Sequence, residues 1–327
     1  MPQGVPTPLI RDITEAAQRL ESGQLVALPT ETVYGLGANA WNSEAVARIF
    51  EAKQRPEFDP LIVHIAGSDQ LGSVVQTIPA LARSLAERFW PGPLTLVMPK
   101  DESIPDLVTS GLPGVGVRVP DHPVALKLLQ ATDCPIAAPS ANLFGGVSPT
   151  TAEHVLLGLG GRIDAVLDGG PCQIGLESTV VSLMGDKPLV LRLGGLSLEA
   201  LEEAIGPIQV AESNSALSDA AQPAPGMLSR HYAPGTLMIA MDTDDSVPLP
   251  IQPGTALLTW GPATKEYSDF AVVKNLSENG DLRECAANFF AALRCLDAAD
   301  PDVIIARRFP DHGLGRALND RLRRACG

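Results

Sequence analysis

Apolar and polar positions divide the chain into short segments in which β-branched runs alternate with amphipathic stretches. Apolar residues that recur every three or four positions predict helices over Asp12–Glu21, Ser43–Lys53, Pro79–Phe89, His122–Ala131, Thr151–Leu157 and Ser197–Ile205. Compact apolar runs predict strands over Leu25–Pro29, Leu61–Ile65, Leu94–Met98, Val115–Val119, Ile136–Ala138, Ala165–Leu167, Thr179–Leu183 and Leu189–Leu193. This alternation is typical of an α/β fold.

A segment without an apolar period follows these elements. Val210–Pro225 is rich in Ser, Ala, Asp and Pro, which is typical of a linker. Strand-like runs follow at Thr236–Met241, Thr255–Trp260, Ala271–Val273 and Val303–Ile305. They enclose a stretch, Asp281–Ala298, whose apolar residues recur at helical spacing. The pattern therefore predicts a second, small α/β domain.

The formal net charge of the 327-residue chain is −14. A protein that holds a nucleic-acid duplex on a broad basic surface needs many Lys and Arg contacts to phosphates. The charge argues against that class, so we expect any anion site to be local.

The cysteines form no CxxC pair and are five in number, which favours neither a zinc ribbon nor a closed disulfide framework. The N-terminus lacks the basic and apolar regions of a signal peptide, and no window approaches eighteen unbroken apolar residues. We therefore expect a cytoplasmic protein that does not enter a membrane. HExxH, Walker A and GxSxG motifs are absent from the sequence, so the corresponding chemistries have no support.

The stretch FEAKQRPEFDPLIVHI, residues 50–65, places cations beside prolines just before an apolar strand. Lys53 at a helix end can simply offset the helix dipole, an effect of roughly 0.3–1 kcal/mol. Arg55 fits that explanation less well, because Pro56 stops the helix and directs the Arg55 side chain out of a rigid turn. His64 is either a core histidine that bonds to the backbone or a functional group.

Other polar residues interrupt apolar strands or follow them. ALPTETVYGLGANA, residues 27–40, is either a tight turn with a capping Thr or a ligand loop at a strand end. Arg118 and Arg192 are single arginines among aliphatic residues, and such an arginine serves as an ion-pair partner or grips a carboxylate. Capping explains Thr150 or Thr151 but not Ser140 and Asn142. The cluster SRHY, residues 229–232, is unnecessary in a pure spacer.

Taken together, these motifs resemble the YrdC-like threonylcarbamoyl-adenylate synthases in their long, two-domain form. The resemblance covers nearly the whole chain and rests on LPTETVYGLGANA, KQRPEFDPLIVHI, WPGPLTLV, GVRVPDHP, APSAN, ESTVV, LRLGG and SRHYAPG in that order. It implies an α/β fold with a YrdC-like open, twisted, mixed sheet and flanking helices, followed by a linker and a small Rossmann-like α/β domain. The implied boundaries are 1–208 for the catalytic domain, 209–235 for a linker that folds over the active site as a lid, and 236–327 for the C-terminal domain.

The resemblance also implies an activity. Such an enzyme is a nucleotidyltransferase that uses L-threonine, bicarbonate and ATP to make threonylcarbamoyl-AMP and pyrophosphate. A downstream threonylcarbamoyl transferase complex then modifies the adenosine beside the anticodon of tRNA. We expect Mg²⁺ to be bound chiefly through the phosphates, and we expect tRNA to be handled mainly by the partner proteins.

Residue roles follow from the matching positions. The resemblance implies catalytic roles for Lys53 and Arg55. It implies threonine binding by Thr32, His64, Arg118, Ala138 and Ser178. It implies ATP binding by Lys53, Arg55, Asp59, Gly114, Ser140, Asn142, Ser148, Arg192, His231 and Tyr232. Asp59 departs from the pattern, because many relatives carry Asn at this position. Either its carboxylate faces a metal ion or a ribose hydroxyl, or only its backbone contributes to the site.

Two other functions are compatible with such a domain. One is a module that binds structured RNA in a concave basic surface without chemistry, and the net charge of −14 weighs against it. The other is a carbamoyl transferase that acts on a different acceptor. Proteins of that kind carry additional zinc-finger or transferase modules, for which this chain has neither the CxxC pairs nor the length.

Overall fold

The computed structural model describes residues 6–211, 225, 231–242, 251–263 and 265–327. Its helices are α1 (Ile13–Glu21), α2 (Ser43–Lys53), α3 (Ala80–Phe89), α4 (Asp106–Thr109), α5 (Pro123–Ala131), α6 (Ala152–Leu159), α7 (Leu198–Ile205), α8 (Leu282–Ala298) and α9 (Leu314–Cys326). Its strands are β1 (Leu9–Ile10), β2 (Val26–Leu28), β3 (Gly35–Asn39), β4 (Ile62–His64), β5 (Leu94–Pro99), β6 (Gly114–Arg118), β7 (Ile136–Ala137), β8 (Ala165–Leu167), β9 (Thr179–Ser182), β10 (Leu189–Arg192), β11 (Gln209–Val210), β12 (Met238–Met241), β13 (Thr255–Thr259), β14 (Val272–Asn275) and β15 (Val303–Arg307). No helix in the described ranges is long and apolar enough to cross a membrane.

A large mixed sheet forms the first part of the molecule. Across the residues that the structure describes, its strand order is β1-β8-β2-β3-β7-β4-β6-β5-β9-β10-β11. The sheet combines parallel pairs such as β4 with β6 and antiparallel pairs such as β5 with β6. The central strands are buried, as the continuous apolar runs in the sequence predict. The predicted mixed sheet with flanking helices is confirmed.

The sequence interpretation of the GLGAN stretch as a glycine-punctuated turn was wrong, because these residues form β3. Gly37 explains the discrepancy. A Cβ built on it would lie 2.8 Å from Leu28 Cδ2 and 2.9 Å from Ile136 Cγ2. The glycine therefore permits close packing inside a strand, a role that sequence cannot separate from a turn.

A second, four-stranded parallel sheet in the order β12-β15-β13-β14 follows within the described residues. This confirms the predicted small α/β domain, although α9 was not predicted. Its buried residues Ala317, Leu318, Leu322 and Ala325 recur at helical spacing, but arginines between them obscure the apolar pattern. The predicted linker Val210–Pro225 begins inside β11, and positions 212–224 lie outside the described residues.

The two sheets belong to one packed body. The apolar core beneath the second sheet contains Phe289 and Phe290 of α8, and it also takes in Val33, Val147 and Leu176 from loops of the first part. Gly175 lies against the backbone of α8, where a Cβ would be 2.4 Å from the carbonyl oxygen of Ala286. The second domain is therefore docked directly onto the loops that surround the functional pocket described below.

Gly175→Ala is expected to weaken this docking. Its φ of +72° disfavours a side chain, and the added methyl would collide with helix backbone that cannot rotate away. We expect the free energy of unfolding to fall by about 2–4 kcal/mol in urea titrations.

Gly161→Ala is the matched control. Its φ is +77°, but nothing lies within 4 Å of the added Cβ. This variant carries the backbone penalty of about 1–2 kcal/mol without the collision. Equal losses in the two variants would contradict a role for the close approach to α8.

Candidate active site

A pocket lies on one face of the large sheet, beside His231 and Tyr232, which precede the second sheet. Ile62 and His64 are two positions apart in β4 and so point to the same face. Arg118 of β6 stands beside His64 in parallel register. The pocket is lined by Thr30, Thr32, Val33, Gly35, Arg55, Ile62, His64, Arg118, Ala138, Pro139, Ser140, Glu177, Ser178, Arg192, Pro225, His231 and Tyr232.

Arg118 is fixed at the floor of this pocket. Its Nη1 donates to Thr32 Oγ1 at 2.8 Å and its Nε donates to the carbonyl oxygen of Gly92 at 3.1 Å. Its Nη2 lies 2.5 Å from a carboxylate oxygen of Glu31, and both side chains are buried. The guanidinium is held in one orientation, which suits a group that must present parallel N–H donors to a carboxylate.

His64 is buried next to Arg118, and it is neutral at physiological pH. Burial, together with the charge of Arg118, lowers the pKa of His64 from 6.5 to about 3. Among the residues that the structure describes, His64 Nδ1 is buried without a hydrogen-bond partner. A buried polar atom at a pocket wall is ready to bond to a ligand.

Ser178 and Arg192 form another part of the wall. The Ser178 hydroxyl lies 2.7 Å from Thr95 Oγ1 and 3.2 Å from Arg192 Nη2. Arg192 also donates from Nε and Nη2 to the carbonyl oxygen of Ser178, and from Nη1 to that of Pro225. A second cation therefore lines the pocket together with Arg118.

The stretch that precedes β4 supplies a buried ion pair. Arg55 lines the pocket and lies 2.9 Å from the carboxylate of Asp59, with both side chains nearly inaccessible. The Arg55 guanidinium also donates to the carbonyl oxygens of Asp59 and Pro60. The charge of Asp59, which sequence could not place, thus compensates Arg55.

Lys53 does not line the pocket. Its Nζ donates to the carbonyl oxygens of Ser140 and Asn142, each at 2.5 Å, and so it braces the loop between them. Burial and the neighbouring Arg55 lower the pKa of Lys53 well below its usual value. The simple role of a solvated helix-end charge is excluded, because the side chain is 1% exposed.

The remaining polar positions differ in their access to the pocket. Ser140 lines it. Asn142 donates to the carbonyl oxygens of Leu143 and Gly146 and shapes the loop. Ser148 donates to a carboxylate oxygen of Glu177 at 2.6 Å. Gly114 lines a narrow, adjoining apolar pocket that shares Ile62 and Pro225 with the first.

His231 and Tyr232 cover the pocket, whereas Ser229 and Arg230 lie outside the described residues. Both rings are buried and lie 4.0 Å apart between centroids. Tyr232 has a φ of +63°, an uncommon backbone conformation for a tyrosine, and its ring packs on Phe290 of α8. Burial, followed by the charges of Arg55 and Lys53, lowers the pKa of His231 well below its usual value.

Sequence reasoning missed the acidic partners of the pocket arginines. Glu31 and Glu177 lie within the quoted motifs PTETV and ESTVV, but neither was given a role. Arg321, which pairs with Glu177 at 2.8 Å, belongs to the helix that was not predicted. The only available signal was the presence of an acid within each motif, because pairing between distant segments depends on the fold.

Two family models match the chain. One, described as "Telomere recombination", covers residues 18–194. The other, described as "Threonylcarbamoyl-AMP synthase, C-terminal domain", covers residues 196–327. Their boundary falls just after β10, before the second sheet begins.

Curated proteins and a solved structure resemble the whole chain. The threonylcarbamoyl-AMP synthase of Pyrococcus abyssi is 46% identical over 95% of this chain and 93% of its own length. That of Bacillus subtilis is also 46% identical, over 96% of this chain and 93% of its own length. A crystal structure of P. abyssi Sua5 complexed with L-threonine superposes with a TM-score of 0.90 at 43% identity, and the match covers 98% of this chain and 97% of that one.

The depressed pKa of His64 predicts a pH dependence of stability. Between the unfolded value of about 6.5 and the folded value of about 3, the unfolded chain binds one proton more than the folded chain. The contribution is therefore fully present above pH 6.5 and is lost as pH falls towards 3.

His64→Gln is expected to remove about 1.4 kcal/mol per pH unit from the slope of unfolding free energy against pH below 6.5. Urea titrations from pH 8 to pH 5 measure that slope. The pKa values of His122, His154 and His231 are also lowered, so the difference between variant and wild type is the relevant quantity. Parallel pH profiles would show that His64 is not kept neutral by the fold.

Proposed function

The chain belongs to the threonylcarbamoyl-AMP synthase family, and we propose on that premise that its pocket joins L-threonine, bicarbonate and ATP into threonylcarbamoyl-AMP and pyrophosphate. The observation that carries the proposal is that residues from distant parts of the sequence meet in one pocket. The residues assigned to threonine from the sequence, Thr32, His64, Arg118, Ala138 and Ser178, come from separate segments and line one pocket together with the cations Arg55 and Arg192.

Threonine binds at the floor of the pocket. Its carboxylate binds to the guanidinium of Arg118, whose orientation is fixed by Thr32 and Glu31. Its amine and hydroxyl bond to His64 and to the hydroxyl of Ser178. A neutral His64 is suited to this role, because its free Nδ1 accepts a hydrogen bond without repelling an ammonium group.

ATP occupies the opposite wall. Arg55 and Arg192 hold the phosphates with Lys53 behind them, and Ser140, Asn142 and Ser148 complete the loop that surrounds the chain of phosphates. We assign the adenine to the side of the site that borders Gly114 and its apolar neighbours, since nucleoside sites are lined mainly by apolar groups. His231 and Tyr232 close over the nucleotide. Asp59 acts through Arg55 by fixing its position.

The reaction needs positioning more than a side-chain nucleophile. The threonine amine attacks the carbon of bicarbonate to give a carbamate with loss of water. A carbamate oxygen then attacks the α-phosphorus of ATP, and the bond to the β-phosphate oxygen breaks to release pyrophosphate. Fixed cations stabilise the charge that develops on the phosphates, which is the main contribution available to phosphoryl transfer.

Mg²⁺ enters this scheme with ATP. In the described part of the chain, no group of three or more His, Cys, Asp or Glu residues is arranged to hold a metal ion. The pocket carboxylates Glu31, Asp59 and Glu177 are engaged by arginines. This arrangement fits an ion that keeps several waters and is bound through the phosphates, where it would neutralise negative charge.

We divide the chain into a catalytic domain, 1–208, a linker and lid, 209–235, and a C-terminal domain, 236–327. The packing of Tyr232 on Phe290 supports a lid that the second domain holds in place. Carbamates and mixed anhydrides hydrolyse readily, so exclusion of water protects both the intermediate and the product. The product would pass in the cytoplasm to a threonylcarbamoyl transferase complex, which places it on the adenosine beside the anticodon of tRNA.

Mass spectrometry of the product tests the reaction directly. The purified chain, incubated with ATP, Mg²⁺, ¹³C-bicarbonate and ¹⁵N-threonine, is expected to yield an adenylate that carries both labels, with one pyrophosphate per adenylate. A threonyl adenylate without the bicarbonate carbon would contradict the proposal, as would pyrophosphate release that does not depend on threonine. AMP formed in the same reaction measures the hydrolysis that the lid suppresses.

Arg55→Ala is expected to lower threonine-dependent pyrophosphate release by about 10²–10³-fold, because it removes a fixed cation from the nucleotide wall. The single change leaves Asp59 as an uncompensated buried charge, so it also destabilises the fold. The double variant Arg55→Ala/Asp59→Asn removes both charges and so leaves no buried carboxylate unpaired. Its activity is compared with that of Asp59→Asn, which keeps the Arg55 cation. A double variant as active as Asp59→Asn, with a matching melting temperature, would remove Arg55 from the mechanism.

A further inference from the structure

A residue of the last helix reaches the wall of the pocket. Arg321 of α9 has a fully buried side chain, and its Nε lies 2.8 Å from Glu177 Oε2. Its other nitrogens contact the carboxylate of Asp320 at 2.8 Å and the carbonyl oxygen of Leu193 at 3.0 Å. The guanidinium also lies 5.0 Å from the centre of the Tyr232 ring. Arg321 therefore contacts both the pocket wall and the lid.

Glu177 connects this arginine to the substrates. It lines the pocket, directly precedes Ser178, and accepts a hydrogen bond from Ser148 through its other carboxylate oxygen. On the proposed assignment, Ser178 belongs to the threonine subsite and Ser148 to the nucleotide loop. Glu177 is thus a negative charge at the junction of two sites that both receive anions.

A carboxylate in that position opposes nucleotide binding unless a cation neutralises it. Charges separated by several ångströms interact strongly where water is excluded. Burial raises the pKa of Glu177, but the charges of Arg321 and Arg192 outweigh it and lower that pKa overall. Burial alone would lower the pKa of Arg321, whereas Tyr232, Glu177 and Asp320 raise it. Both partners are ionised, and Arg321 is the partner supplied by the second domain.

We propose that Arg321 is a positioning residue through which the C-terminal domain sets the affinity of the catalytic pocket for ATP. It neutralises Glu177, turns that carboxylate away from the phosphates and fixes the Ser148 hydroxyl and the Tyr232 ring. The proposal rests on the proposed function, since it assigns the polyphosphate to the Arg55 and Arg192 wall. Arg321 itself touches no substrate.

A purely structural ion pair predicts a different pattern of effects. If the pair served only the fold, both single variants would act through stability and neither would lower the KM for ATP; Glu177→Gln would be the milder of the two, because it leaves Arg321 paired with Asp320. If Arg321 neutralises Glu177 for the sake of ATP, the two single variants change the KM for ATP in opposite directions. Loss of Arg321 leaves the Glu177 carboxylate uncompensated beside the nucleotide, whereas Glu177→Gln removes that negative charge.

Steady-state rates of pyrophosphate release, with ATP and threonine varied separately, test this asymmetry. Arg321→Met is expected to raise the KM for ATP by about tenfold or more, with the KM for threonine changed by less than about twofold. Glu177→Gln is expected to lower the KM for ATP by about threefold. Glu177→Gln/Arg321→Met is expected to restore the KM for ATP to within about threefold of wild type.

Arg316→Met is the matched control. Arg316 also lies on α9 and also pairs across the domain boundary, with Glu199 at 2.7 Å, but Glu199, unlike Glu177, does not line the pocket. An equal rise in the KM for ATP in this variant would attribute the effect to domain docking and overturn the proposal. A higher KM for ATP in Glu177→Gln would also overturn it. If Arg321→Met does not fold, Arg321→Lys keeps the charge without the planar fork and is expected to raise the KM for ATP by about threefold.

Titration calorimetry with α,β-methylene-ATP separates this inference from the proposed function. The analogue reports nucleotide affinity whether or not the wild-type chain makes threonylcarbamoyl-AMP. The same asymmetry between Arg321→Met and Glu177→Gln in analogue affinity supports the role of Arg321. The inference is refuted if wild type and Arg321→Met bind the analogue with equal affinity. If the wild type also forms the labelled adenylate, the proposed function stands.

Discussion

The pocket depends on burying several cations close together, a condition that is costly unless each charge has a partner. A buried guanidinium loses its hydration, and only well-placed acids and carbonyl oxygens compensate for that loss. Arg55 pairs with Asp59, Arg118 with Glu31, and Arg321 with Glu177, and all of these side chains are almost inaccessible to solvent. Breaking one such pair typically costs about 3–5 kcal/mol, so the arrangement holds the pocket rigid before any substrate arrives. A rigid pocket is needed to orient a carbamate and a triphosphate for reaction.

The pairing scheme also explains why the second domain is part of the active site. Asp59 and Glu31 belong to the first part of the molecule, as do their arginines, so those pairs form without the second sheet and its helices. Glu177 obtains its cation from α9, far away in sequence and beyond the second sheet. The apolar contacts of Val33, Val147 and Leu176 with the core around α8 position the second domain. The hydrophobic docking and the buried ion pair therefore support each other, because each one fixes the geometry that the other needs.

Much of this arrangement could be predicted from the sequence, for identifiable reasons. The strands and helices predicted in the first domain follow strong apolar periods, and their ends agree with the structure to within two residues, whereas the short elements β1, α4 and β11 were not predicted. Arg118 and Arg192 were recognisable because a lone cation in an apolar strand needs an explanation. The prediction for GLGAN was wrong because glycine occurs both in turns and where strands pack closely. Helix α9 was not predicted because its buried arginines interrupt the apolar pattern. The partners of the cations could not be predicted, since an ion pair between residues 177 and 321 is a property of the tertiary fold.

An acidic chain with a cationic pocket must attract its anionic substrates locally. At physiological ionic strength the surface charges that produce the net −14 are screened beyond about 8 Å. The buried arginines lie in a region from which water is largely excluded, so their field is screened much less. Because Arg55 and Arg118 already have acidic partners and Arg192 is held by backbone carbonyl oxygens, the pocket attracts a polyanion through the directed N–H donors of these three arginines more than through net charge. Selectivity then depends on where those donors point. Their orientation is set by Asp59 and Glu31 and by backbone carbonyl oxygens, and across the domain boundary by the contact between Glu177 and Arg321.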